Sequence, residues 1–119
     1  QLGGGMRQAG ILAAAALYAL DHHRDDLTLD IENSRQLAEA LSRVDGVSIN
    51  LTSVQSNIVR FDVTMDAGTF ATECHARGVY MLPTGGNGMR AVLHRDVDSA
   101  GVLRAVEIMA SVVEGAPVR

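Results

Sequence analysis

Arg90 stands directly behind the glycine-rich segment Pro83-Thr-Gly-Gly-Asn-Gly88, inside the alternating run Met89-Arg-Ala-Val-Leu-His94. A planar guanidinium held on a strand beside such a loop can grip a carboxylate through two parallel hydrogen bonds. The plain alternative is a strand-edge arginine in an ordinary surface ion pair. His94 falls on the same side of the strand as Arg90 and Val92, either as a ligand contact or, more simply, as a tie between the strand end and backbone. Arg7 follows Gly3-Gly-Gly5 and opens a helix. Free backbone N–H groups and a guanidinium at a helix start make an anion site; an exposed loop is the competing reading.

Other reactive residue types lack the spacing that chemistry needs. His22-His23 with Asp25-Asp26 has the composition of a metal site, but adjacent side chains diverge, so a solvated turn is expected. Cys74 falls on the apolar face of a helix and reads as a structural thiol, with His75 beside it. The sequence has no Ser/His/Asp set, no phosphate-binding loop and no zinc motif. All ten basic residues are arginine, so covalent chemistry through a lysine amine is excluded.

Positioning these residues requires an α+β arrangement. A first helix is expected from Met6 to about Asp21, apolar on every side and therefore in need of cover all round. A second runs from Asp26 to Val44, with Leu27, Ile31, Ser34, Ala38 and Leu41 inward and Gly46 as a left-handed cap. Val47–Leu51 and Asn57–Val63 alternate as strands do. A third helix begins after Asp66 and ends at Gly78. Val79–Leu82 and Met89–His94 read as strands around a flexible loop. Asp98 caps a last helix, Ser99–Glu114, with Val102, Val106, Met109 and Val113 inward, stopped by Gly115 and Pro117. The order gives a small, mainly antiparallel sheet with helices on one face, preceded by a long apolar helix. The expected division is 1–24 for that helix and 25–119 for the α+β domain.

The 119 residues carry a net charge of −4 with scattered arginines, which gives no footprint for nucleic acid or an anionic membrane. The apolar stretch Ala9–Leu20 is shorter than the roughly 20 residues of a membrane span. With a single cysteine there is no internal disulfide, and the chain reads as soluble and cytoplasmic.

Leu2-Gly-Gly-Gly-Met-Arg-Gln-Ala-Gly-Ile-Leu-Ala-Ala-Ala14 resembles the segment after the cofactor-binding lysine in low-specificity threonine aldolases. Those are pyridoxal-phosphate enzymes of the aminotransferase fold. The resemblance continues, in family order, through Gln55-Ser-Asn-Ile-Val59, Gly78-Val-Tyr-Met81 and Arg90-Ala-Val-Leu-His-Arg-Asp-Val97. It implies the C-terminal part of a homo-oligomeric lyase that cleaves threonine or allo-threonine to glycine and an aldehyde. The lysine and the other catalytic groups would lie on a cofactor domain not contained in these residues. The resemblance gives Arg90 the substrate α-carboxylate and places Arg7 near the cofactor phosphate, serving a neighbouring subunit. Ser56 replaces a common threonine, and the Thr84–Gly88 loop is richer in glycine than usual. The chain alone is expected neither to bond pyridoxal phosphate nor to cleave threonine. Two other readings stand beside this one: a free-standing α+β dimerisation or small-molecule-binding module, and another carbon–carbon or β-eliminating lyase.

Overall fold

Asp66 and Asp98 start two helices in the manner their residue type dictates. The Asp66 carboxylate accepts from the Thr69 N–H at 2.8 Å, and Asp98 accepts from the Gly101 N–H at 2.8 Å. Each satisfies a donor that the first helical turn leaves unpaired. The computed structural model describes residues 5–115. Its elements in chain order are α1 (Ala9–His22), α2 (Asp26–Leu41), β1 (Val47–Ser48), a 3-10 turn (Leu51–Ser53), β2 (Ile58–Val63), α3 (Ala67–Ala76), β3 (Leu82–Gly85), β4 (Gly88–Val92) and α4 (Ser99–Val113).

The four strands form one sheet in the order β1-β2-β4-β3, with every neighbouring pair antiparallel. Alternation in β2 and β4 divides the sheet into two faces. Val59, Phe61, Val63, Met89 and Ala91 are buried beneath α2, α3 and α4, in one core with Leu41, Phe70, Val102 and Met109. The Phe61 and Phe70 rings meet edge to face at 6.2 Å, a favoured aromatic geometry. Ile58, Arg60, Asp62, Arg90 and Val92 occupy the other face, which no helix covers.

The buried stripe of α2 is Asp30, Asn33, Ser34, Leu37, Ala38 and Leu41. Leu27, expected inside, is exposed. Asn33 and Ser34 take part in the stripe because each has a partner. The Asn33 amide donates to the Val97 carbonyl at 2.9 Å and accepts from the Ser99 hydroxyl, and the Ser34 hydroxyl donates to the Asp30 carbonyl.

Several boundaries differ from the sequence reading. α2 ends at Leu41, and Gly46 serves the turn into β1 instead of capping the helix. It takes φ +87°, and a Cβ there would stand 2.5 Å from Val113 Cγ1 and 2.9 Å from Thr64 Oγ1. β1 is two residues long because the chain turns into the 3-10 segment after Asn50, whose side chain accepts from Thr52 N. The third strand begins at Leu82, where Val79–Leu82 was expected. His75 Nε2 lies 3.0 Å from the Met81 carbonyl oxygen and 3.3 Å from its nitrogen, drawing the backbone before β3 toward α3. The expected loop from Pro83 is the strand itself. Pro83 pairs with Met89 on an edge strand, where a missing N–H is tolerated.

α1 has no buried residue; Ile11, Leu12, Leu17 and Leu20 are all exposed. It meets the α+β body at its C-terminal end. There Arg95 Nη1 sits 3.0 Å from both ring nitrogens of His23, above the imidazole, and His23 and Arg95 both pair with Asp26. No helix of the described residues is long and apolar enough to cross a membrane. Pro117, expected as a helix stop, lies outside the described residues.

Candidate functional site

The open face of the sheet gathers Arg90 with residues from three strands. On β4, Arg90 stands between Gly88 and Val92; across the ladders it faces Arg60 on β2 and Leu82 on β3. The spacing of backbone bonds settles how close the two arginines come. Leu93 N–H donates to Asn57 O and Val63 N–H donates to Asn87 O. Those bonds place the odd-numbered residues of β2 in hydrogen-bonded pairs. Arg60 and Arg90 therefore form one of the intervening non-hydrogen-bonded pairs, in which side chains lie nearer.

Like charges directly opposite across a ladder are destabilising. No ion pair among the described residues includes Arg60 or Arg90. Asp62, the acid on this face, pairs with Gly88, and its Oδ1 lies 3.4 Å from where a Gly88 Cβ would be. Gly88 has to lack a side chain: a Cβ there would come within 2.6 Å of Thr84 Oγ1. Arg90 Nε is buried and has no hydrogen-bond partner among the described residues. A buried unpaired donor costs about 1–3 kcal/mol, so the fold carries a cost at Nε while the outer guanidinium nitrogens stay on the accessible side of the sheet. Ile58, Val92 and Leu82 supply an apolar surround, in which a charge-assisted bond is stronger than in water.

Arg7 is exposed in the turn before α1. Gln8 takes the left-handed conformation, φ 56°, and caps no N–H with its side chain. The Ile11 N–H already donates to the Gln8 carbonyl at 3.1 Å, so of the first turn only the Ala9 and Gly10 N–H groups lack a partner among the described residues beside Arg7, while Gly3 and Gly4 of the expected anion site lie outside the described residues. At ~1.5 Å per residue, the length of α1 separates Arg7 from the body by ~20 Å. The structure does not bring Arg7 and Arg90 together.

The remaining candidates have structural partners. His94 is exposed and accepts at Nδ1 from the Asp96 N–H at 3.4 Å, turning the chain out of the sheet. His23 joins the Arg95–Asp26 junction, and among the described residues no group of three or more His, Cys, Asp or Glu is placed to hold a metal ion. Cys74 is fully buried, and burial pushes its thiol up to about 11, away from the reactive thiolate. Arg60 was missed at the sequence level, because its significance comes from register alone.

Residues 1–64 match the family model described as beta-eliminating lyase. The chain is 40% identical over 113 residues to the probable low-specificity L-threonine aldolase 2 of Arabidopsis thaliana, covering 89% of this chain and 32% of the relative. It is 30% identical over 105 residues to the low-specificity L-threonine aldolase 1 of the same plant, covering 85% of this chain and 29% of that one. The chain thus spans about a third of the length of these relatives. Among solved structures, the cysteine desulfurase CsdA of Escherichia coli superposes with a TM-score of 0.79 at 17% identity, over 98% of this chain and 33% of that one. A glutamate decarboxylase of Lactobacillus brevis gives 0.64 at 14% identity, over 83% of this chain and 25% of that one. At such identities these structures establish the fold.

Proposed function

The chain belongs to the beta-eliminating lyase family, and on that footing we propose that it is the C-terminal, carboxylate-binding part of a pyridoxal-phosphate-dependent threonine aldolase. The reaction would split L-threonine or L-allo-threonine into glycine and acetaldehyde. The observation that carries the reading is the buried, unpartnered Arg90 Nε on an open sheet face. In a chain without lysine, the residues suit one end of the cofactor. Arg7, with the Ala9 and Gly10 N–H groups at the start of α1, has the chemistry of a phosphate site. The bond to the cofactor's carbonyl would come from a lysine upstream.

When bound, pyridoxal phosphate supplies the sink for the electron pair released by Cα–Cβ cleavage. Arg90 donates two parallel hydrogen bonds to the substrate α-carboxylate and so fixes the rotation of Cα. Its role would be orientation: a carboxylate fixed at Arg90 would hold Cα in one rotation, so that the bond to be broken is presented to the cofactor before reaction. The apolar surround of Ile58, Val92 and Leu82 limits competition from water for those bonds. α1, whose apolar side chains have no cover among the described residues, would pack against the cofactor domain and a second subunit of a dimer or tetramer.

The test is Arg90→Ala in the longer protein that includes the cofactor domain. Loss of a charged hydrogen-bond pair costs about 1.5–3 kcal/mol, on the order of ten- to a hundredfold in kcat/KM. The cofactor's absorbance should be unchanged. An unaltered rate at low threonine concentration overturns the assignment.

A further inference from the structure

We infer that Arg60 and Arg90 together form a site for small dicarboxylates, in which Arg60 determines specificity. The inference rests on the reading of Arg90 as the carboxylate grip and extends the substrate class to β-hydroxy-α-amino acids bearing a second carboxylate.

Register forces the pairing. Arg60 and Arg90 are Cα partners at a non-hydrogen-bonded position, so both side chains leave the same face of the sheet from neighbouring points. Directly opposed Cβ atoms stand ~4.5–5.5 Å apart, so two long side chains rooted that close can turn their guanidinium groups toward the two ends of one small dicarboxylate. Neither arginine takes part in an ion pair among the described residues; Asp62 shares their face, two positions from Arg60 and diagonal to Arg90, but its carboxylate lies toward Gly88 and leaves the pair with a net positive charge. A single carboxylate on Arg90 would leave the Arg60 charge unanswered beside it. A dicarboxylate answers both charges and removes the cross-strand repulsion.

The division of labour follows from burial. Arg90 is partly buried, with Nε unpaired, and provides the fixed anchor. Arg60 is exposed on β2 and free to reach a second anion along the face. The strip formed by Ile58, Val92 and Leu82 would cover the methylene carbons between the two carboxylates.

Titration of the 119-residue chain with propionate and with succinate, followed at the Arg90 Nε–H resonance, tests this directly. Succinate should bind at least about tenfold more tightly than propionate. Arg60→Gln should bring the two anions to within about threefold, while Arg60→Lys should retain most of the preference because it keeps the charge. A preference that is absent, or that survives Arg60→Gln, overturns the two-arginine site. Propionate binding that Arg90→Gln abolishes, without any succinate preference, overturns the present inference while sustaining the carboxylate role of Arg90. No response of Arg90 to either anion overturns both.

Discussion

The two faces of β2 and β4 are built from neighbouring residues and obey opposite rules. On the covered face, Val59, Phe61 and Met89 are 0–3% exposed and packed against three helices, so each is fixed by shape. On the open face, Ile58, Val92 and Leu82 are 39–56% exposed around two opposed arginines, an arrangement that packing alone would reject. The covered face stabilises the fold, while the open face gives up stability to hold cations where an anion can reach them. Functional sites regularly carry such local conflict.

The sharpest way to break this comparison is truncation on each side of the sheet. Phe70→Ala and Phe61→Ala remove rings from the covered core and should each cost about 3–5 kcal/mol in urea unfolding. Val92→Ala, one strand position from Ala91 but on the open face, should cost under about 1 kcal/mol. Equal losses on the two faces would mean that the open face is packed in solution.

Gly46 tests the covered side by steric means. Its φ of +87° disfavours any side chain, and an added Cβ would meet Val113 and Thr64 inside contact distance. Left-handed strain of roughly 1–2 kcal/mol and overpacking of about 1–3 kcal/mol act together. Gly46→Ala should therefore destabilise by about 2–4 kcal/mol, whereas Gly86→Ala, with open space around it, should show the strain alone. Similar costs at the two glycines would remove α4 packing as the cause.

On the open side the sign reverses. Arg60→Gln or Arg90→Gln ends a like-charge pairing, so stability should stay level or rise by about 0.2–1 kcal/mol even as anion binding falls. Thermal melts at low and high salt check this, because added salt should shrink the gain. A clear loss of stability from both variants would reveal a structural role for the arginines.

How far the sequence disclosed each region follows the range of the interactions involved. Asp66 and Asp98 were legible as caps because a cap is decided within three residues. Arg90 was legible as a candidate from the glycine-rich segment before it. Arg60 was hidden, since its meaning arises from a register joining residues thirty positions apart in the chain. The start of β3 was misplaced because His75, on another element, holds Met81. Leu27 was placed inside α2's stripe because apolar periodicity could not register that Asn33 and Ser34 would find buried partners. The same limit applied at Gly46, whose contacts come from α4.

The smallest effect, at the Asp66 cap, turns the comparison into a pH experiment on the covered side. Hydrogen bonds from the Thr69 N–H, then the Thr69 hydroxyl, hold the Asp66 carboxyl below its ordinary value of 3.8. A carboxylate whose pKa is depressed on folding contributes stability above its unfolded value and loses it as pH falls through the folded one. Asp66→Ala should therefore lower the melting temperature modestly at pH 7, and the gap to the unsubstituted chain should narrow as pH drops below 3.8. Val92→Ala provides the control, because it removes no charge and no hydrogen bond. Its effect on stability should not vary with pH, so a parallel narrowing in both variants would assign the acid response to the chain as a whole instead of the cap.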